Sequence, residues 1–295
     1  MPVPIREYPF CMATGGFTRV VFAIGCMLIA APACGPAPVP TQQTTATGWQ
    51  LLEPGLELGF LLSPKPATAG DGFVRVLRID PEHFELRLMT ASEHGGRTRT
   101  AKDWCEEHDM VAALNASMYQ EDLLTSVSLM RTRTHTNNGH LTRHRTVLGF
   151  DRLEPSVPAV KIIDLECDDF EQWEPRYGTL VQSIRMLSCE GKNVWKQQSR
   201  QWSTAAVGTD SAGRVLFVHV RSPFSTHDLI DVLVQLPLDL TSLMYAEGGR
   251  KAQLYVRSPD REYEYVGSLE NAFGEADDNY RAWPVPNVIG VVRKP

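Results

Sequence analysis

Apolar and polar positions alternate along this chain in short runs of strand type, with few helical stretches between them. Phe73 to Ile79 and Phe84 to Met89 flank Asp80-Pro81-Glu82-His83. In the second run Glu85 and Arg87 alternate with Phe84, Leu86 and Leu88, the period of a half-buried strand, so the pair predicts a hairpin. Thr100 to His108, with Trp104 and Cys105 among charges, predicts a short surface helix, and Val111-Ala112-Ala113-Leu114 a buried strand that delivers Asn115. Ala205 to Gly208, a turn from Thr209 to Arg214 and Val215 to Val220 predict a second hairpin. Ser225-Thr226-His227-Asp228 opens a helix running to Leu236, with Leu229, Val232, Leu233 and Leu236 at helical spacing and Pro237 as the stop. Ser225 and Asp228 fit a capping box in which Asp replaces the usual Glu. Asn287 to Val292 closes the chain as a strand. Hairpins interleaved with few helices predict an α+β fold: a large mixed, mainly antiparallel sheet flanked by a few helices, in a single domain.

The segment Leu243 to Val256 concentrates the candidate chemistry. Two strand-type runs meet at Glu247-Gly248-Gly249, followed by the cations Arg250 and Lys251. Glycines permit positive φ and close backbone approach, so Gly248 and Gly249 would leave room for a ligand beside Glu247 and present N–H groups to an anion. The plainer reading is a hairpin turn with an incidental acid, since Gly-Gly is a standard hairpin dipeptide.

Composition sets the compartment. Arg19 precedes an apolar run from Val20 to Ala31, too short to span a membrane as a mature helix, and small residues follow it around Cys34. This is the layout of a signal peptide over residues 1–33, and the position of Cys34 resembles the lipidated cysteine of a bacterial lipoprotein, with Cys26 as a rival acceptor. Residues 34–48, rich in Pro and Thr, predict a flexible tether, and 49–295 the folded domain. The protein is therefore expected to be exported to the cell envelope and held to a membrane by lipid. A net charge of −6 argues against nucleic acid as a partner. Cys105, Cys167 and Cys189 allow one internal disulfide with one thiol left over, the pair being open, and no Cys-x-x-Cys spacing points to structural zinc.

Arg131 to Arg145 gathers four arginines and three histidines, a stretch that could bind phosphate, a polyanionic envelope polymer or, through His140 and His144, a metal. Histidines at i, i+4 favour a metal only on a helix, and Asn137-Asn138-Gly139 argues for a turn and a solvated loop.

Several landmarks occur together in a telling order: Ala112-Ala113-Leu114-Asn115 with Tyr119, Thr204 to Gly208 before a hairpin, a helix near His227-Asp228-Leu229, the Glu247-Gly248-Gly249 turn, and Pro286 to Gly290. Over roughly residues 70 to 293 the chain resembles the phosphodiester glycosidase domain family, which implies an α+β fold and cleavage of a sugar from a sugar phosphodiester. It departs from the family's pattern at three places. Glu247-Gly248-Gly249-Arg250-Lys251 stands where Asp-Gly-Gly-Gly-Ser is usual, Thr204-Ala205 where Arg-Thr is usual, and Asn115-Ala116-Ser117 where Asn-Gly-Gly is usual.

Such a reaction needs a carboxylate beside the sugar and cations on the phosphate, which is already a fair leaving group. Glu247 is the expected base or nucleophile, and Asn115 the partner of a sugar hydroxyl, both at family positions. Arg131, Arg185 and Arg250 are the candidate phosphate clamps, since a guanidinium grips phosphate bidentately. His227 could reach the site from its helix terminus beside Asp228. A divalent cation as cofactor is left open. The expected ligand is a glycosyl phosphate or envelope glycan. The alternative reading is a catalytically inactive module that binds a glycan or phosphopolymer on the same fold.

Overall fold

The computed structural model describes residues 47–268 and 277–295. The leader, most of the tether and Cys34 lie outside them. Along the chain the strands are β1 (Gly48–Glu53), β2 (Leu56–Leu62), β3 (Phe73–Ile79), β4 (Phe84–Thr90), β5 (Ala112–Asn115), β6 (Met130–Arg131), β7 (Thr136–Asn138), β8 (Thr146–Arg152), β9 (Lys161–Asp164), β10 (Tyr177–Ser183), β11 (Trp202–Asp210), β12 (Val215–Phe224), β13 (Leu240–Gly248), β14 (Gln253–Arg257), β15 (Glu262–Val266) and β16 (Asn287–Arg293). Among the described residues three short α-helices join them: α1 (Ala101–Glu107), α2 (Phe170–Trp173) and α3 (Thr226–Gln235). The described residues fall in one compact unit.

The α+β class stands, but the strands divide into three sheets instead of one. Their orders are β1-β2-β3-β12-β11-β13, β7-β6-β10-β8-β9 and β15-β14-β5-β16-β4. Pairing among these strands is antiparallel throughout. The expected β11–β12 hairpin forms, with Ala206 opposite Val218. The expected hairpin of β3 and β4 does not: β3 pairs with β2 and β12, whereas β4 pairs with β16 in another sheet. The Asp80 to His83 turn closes as expected, with His83 N–H on the Asp80 carbonyl at 3.1 Å, but the strands then diverge. Alternation reports that a strand has one buried face; it carries no information about which strand lies alongside.

That divergence builds the core. Leu77 and Ile79 of β3, Phe84 and Leu88 of β4 and Phe150 of β8 share one cluster, so all three sheets pack their inner faces together. Each outer face has its own cover. On the six-stranded sheet, Leu229, Ile230, Val232 and Leu233 of α3 pack against Val218 and Leu216. On the third sheet, Trp104 and Cys105 of α1 pack against Tyr255 and Val288. The α1 helix begins at a Thr100–Asp103 capping box, and its expected surface character holds for one side only, because Trp104 is fully buried. Ser225 caps α3 as expected, its Oγ accepting the Asp228 N–H at 3.0 Å. No helix among the described residues is long and apolar enough to cross a membrane.

Candidate functional site

Glu247 lies near the end of β13, where a register shift sets Ala205 opposite Glu247 and Ala206 opposite Tyr245. The extra residue of such a bulge bends the strand and re-aims the side chains beyond it. The chain then passes through Gly248 into a single 3-10 turn (Gly249–Lys251) and enters β14, which pairs with β5 and β15. β13 belongs to one sheet and β14 to another, so the Gly-Gly is no hairpin turn. It is a crossing between sheets, and Glu247 stands at its mouth, with Oε1 accepting the N–H of Gly248 at 2.9 Å.

The two glycines are required by crowding as well as by conformation. Gly249 has φ of 66°, in the region that favours glycine. A Cβ on Gly248 would come within 2.1 Å of the Tyr245 hydroxyl and 2.9 Å of the Trp202 ring. The space beside Gly248 is thus filled by Tyr245 and Trp202. A Cβ on Gly267 would lie 2.0 Å from the Gly249 carbonyl, so that residue presses on the crossing from behind.

Asn115, at the end of β5 and fully buried, fastens the crossing. Its Nδ2 donates to the Lys251 carbonyl at 2.9 Å and its Oδ1 accepts the Gln253 N–H at 2.7 Å. Gln253 extends the network: its Nε2 donates to the Trp283 carbonyl at 2.5 Å, and its Oε1 accepts the Ala101 N–H at 3.0 Å. Lys251 places Nζ 4.6 Å from the centre of the Tyr119 ring.

The structure brings Asn115, Glu247, Gly248, Gly249 and Arg250 together at this crossing. Arg250 reaches Asp278 at 3.3 Å. Arg185 is close in the fold, bridged to Met244 of β13, and its guanidinium holds Asp164 at 2.6 Å. His227 and Asp228 sit at the start of α3. Gln197 donates to Asp228, which also pairs with Lys65, and Asn193 Nδ2 donates to the His227 carbonyl at 2.9 Å. Burial pushes the Asp228 carboxyl up, but hydrogen bonds with Lys65, Ser225 and Gln197 outweigh it and leave it below the usual range. Arg131 stands apart: on β6, opposite Leu180, it turns to Glu174 at 3.4 Å. The His140–His144 pairing does not form a helical metal site, since His144 Nδ1 lies 2.7 Å from Ser128 Oγ in a loop. Asp164, Cys167 and Cys189 also converge, yet the two sulfurs are joined in a disulfide, which leaves no thiolate for a cation.

Sequence reading passed over the aromatic residues around the turn. The indole N–H of Trp202 and the hydroxyl of Thr204, which lies opposite Gly248, are shielded from solvent without a hydrogen-bond partner among the described residues. Trp195 approaches Tyr245 with ring centres 6.0 Å apart. Tryptophans in an otherwise polar stretch, Trp195 and Trp202 among Lys, Gln, Ser and Arg, are the signal that could have drawn attention to them.

An acidic residue thus stands where strands from two antiparallel sheets cross, with aromatic rings packed beside the glycine that follows it and two cations after that. The phosphodiester glycosidase family matches residues 108–292, and the chain belongs to that family. Among solved structures, the catalytic domain of zebrafish N-acetylglucosamine-1-phosphodiester alpha-N-acetylglucosaminidase, auto-inhibited by its pro-peptide, superposes with a TM-score of 0.57 at 12% identity over 84% of this chain and 86% of that one. A hypothetical protein from Synechocystis gives 0.54 at 10% identity, over 82% of this chain and 62% of that one. Likenesses this remote concern the fold alone. No curated protein matches the chain.

Proposed function

We propose that this protein is an exported glycosidase that hydrolyses a glycosyl-phosphodiester bond in an envelope or extracellular glycan, with Glu247 as its essential carboxylate. The bond from the anomeric carbon to the phosphate oxygen breaks, and an oxygen from water takes its place in one step or two. Glu247 takes the water proton, or acts as the nucleophile that water later displaces, and the phosphate monoester departs as an anion. The observation that carries this reading is the sheet crossing itself. One carboxylate is tied to the Gly248 N–H at 2.9 Å and followed by a turn that carries Arg250 and Lys251, whose far end Asn115 holds through the Lys251 carbonyl. Two cations beside the leaving phosphate offset the charge that develops there. Asn115 serves as a positioning residue, because its amide already holds Lys251 and Gln253.

The test is release of free sugar from glycosyl phosphodiesters, N-acetylglucosamine linked through phosphate included, with and without divalent metal and beside Glu247→Gln. Turnover lost in that variant supports the reading; an unchanged rate removes Glu247 from the mechanism.

A binding module on the same fold is the second reading. It is favoured by the carboxylates already paired with all three candidate clamps: Glu174 with Arg131, Asp164 with Arg185 and Asp278 with Arg250. Tight glycan binding without turnover supports it.

Export is supported by the Cys167–Cys189 disulfide, a bond that persists in oxidising compartments. Lipid attachment at Cys34 completes the proposal, and Cys34→Ser is expected to move the protein from the membrane to the soluble envelope fraction.

A further inference from the structure

A cavity of about 540 Å³ opens beside Ile184 and Arg185. The main chain ties it to the sheet crossing. Tyr245 N–H donates to the Ile184 carbonyl at 2.9 Å, and Arg185 bridges to Met244. Glu247 is two residues beyond Tyr245, roughly 7 Å along an extended strand. The main chain of the crossing therefore lies about the length of one or two sugar units from the point where Tyr245 meets the cavity wall.

Its lining is cationic in a protein whose net charge is −6. Arg143, Arg145, Arg185 and Lys196 line it, and no carboxylate among the described residues does. Arg185 and Arg145 are engaged outside it, by Asp164 at 2.6 Å and Glu166 at 3.0 Å. Arg143 and Lys196 are exposed and make no ion pair among the described residues. Burial, with Arg143 nearby, holds His144 below the usual histidine range, so the charge at neutral pH belongs to the arginines and the lysine.

The walls are built in advance. Gln182, fully buried on β10, donates from Nε2 to the carbonyls of Thr142 at 3.1 Å and His144 at 2.6 Å, and its Oε1 accepts the Thr142 N–H at 3.0 Å. Those bonds fix the backbone that presents Arg143. Opposite, the Trp195 indole N–H donates to the Arg185 carbonyl at 2.7 Å, which sets the ring at the cavity wall. Gln198 adds an Nε2 that is shielded from solvent and has no partner among the described residues. Unpaired cations, an anchored indole and an unsatisfied amide donor suit a sugar ring bearing an acidic group: the ring packs on the aromatic face and the acid meets the cations.

We infer that this cavity is a subsite for an anionic glycan, holding an acidic sugar unit next to the one addressed by Glu247. The inference rests on the proposed glycosidase site and narrows its substrate to a charged polymer.

The test measures binding of a dextran sulfate oligosaccharide to the full-length Glu247→Gln protein, beside neutral dextran of the same length and inorganic polyphosphate. Binding is followed by calorimetry in the Glu247→Gln background and in the same background carrying Arg143→Ala and Lys196→Ala. Dextran sulfate is expected to bind with an affinity that falls as salt rises, to lose at least about tenfold in the variant with both substitutions, and to bind more tightly than either control. No binding, equal binding after both substitutions, or equal binding of neutral dextran overturns the subsite. Polyphosphate binding as tightly as dextran sulfate overturns the glycan part, because charge alone is then recognised. These outcomes are separable from failure of the glycosidase reading, which is read from sugar release by the unmutated protein on a simple glycosyl phosphodiester. Both exposed side chains lack ion-pair partners among the described residues, so an unchanged melting temperature is the control for folding.

Discussion

Asn115 and Lys251 are 136 residues apart in the chain and meet through one hydrogen bond, Nδ2 to carbonyl at 2.9 Å. The same amide accepts the Gln253 N–H, so a single side chain of β5 grips the crossing on both sides of Ala252. The clamp fixes the chain where it leaves the turn after Glu247 and enters β14.

Removing the clamp should be costly. Asn115→Ala leaves the buried Gln253 N–H without its acceptor and leaves the Lys251 carbonyl with only Gln253 Nε2 at 3.3 Å, and a loss of about 1–3 kcal/mol is expected in urea denaturation. Asn115→Asp restores the acceptor for Gln253 but sets an oxygen against the Lys251 carbonyl, and should remain well below the unmutated protein at neutral pH.

Crowding behind the crossing gives a second outcome. In Gly267→Ala the new methyl meets a backbone oxygen, Gly249 O, at 2.0 Å, which a side-chain rotation cannot relieve. A cost of about 1–3 kcal/mol and a displaced Glu247 turn are expected. Gly139→Ala, whose nearest neighbour is the Thr136 methyl at 3.5 Å, should fall within about 0.5 kcal/mol of the unmutated protein. Thermal melts of the two variants side by side check this.

Acid sensitivity is expected from His219. It is fully buried on β12, stacked on Tyr265, with Nε2 3.3 Å from the Ala252 carbonyl. Burial, reinforced by Arg75, drives its pKa from 6.5 down to about 3. Below pH 6.5 the unfolded chain binds a proton that the folded chain refuses, so stability is full above 6.5 and declines as pH falls toward 3. The slope from this group approaches about 1.4 kcal/mol per pH unit. His219→Gln should flatten the stability curve between pH 6.5 and about 3, and an unaltered curve counts against the assignment.

Redox conditions should matter as well. The Cys167–Cys189 bond closes a loop with a separation of 22 residues, and its loss is expected to cost about 3 kcal/mol by loop-closure entropy. Denaturation with and without reductant measures it. Cys105 is fully buried and its thiol is pushed up by that burial, so it should resist alkylation until the protein unfolds.

Much of this protein is decided locally and could be read from residue order. Strand and helix positions follow from alternation and caps: α1 begins at Thr100 and α3 at Ser225 because a side-chain oxygen there satisfies a backbone N–H that the helix cannot. The acidic residue before two glycines was legible too, because positive φ at Gly249 demands a residue type. Partnership was not legible. β3 parts from β4 and β13 from β14, since which strand lies beside which is settled by burying three sheet faces in one core, a balance summed over the whole chain. That choice made a turn that reads as a hairpin into a crossing between sheets, joined Asn115 to Lys251, carried Arg131 away to Glu174, and brought Trp195, Tyr245 and Trp202 to the turn. Sequence determined the residues that would turn, cap and alternate; tertiary packing decided which of them meet, because contacts between distant segments are stabilised only once the common core forms.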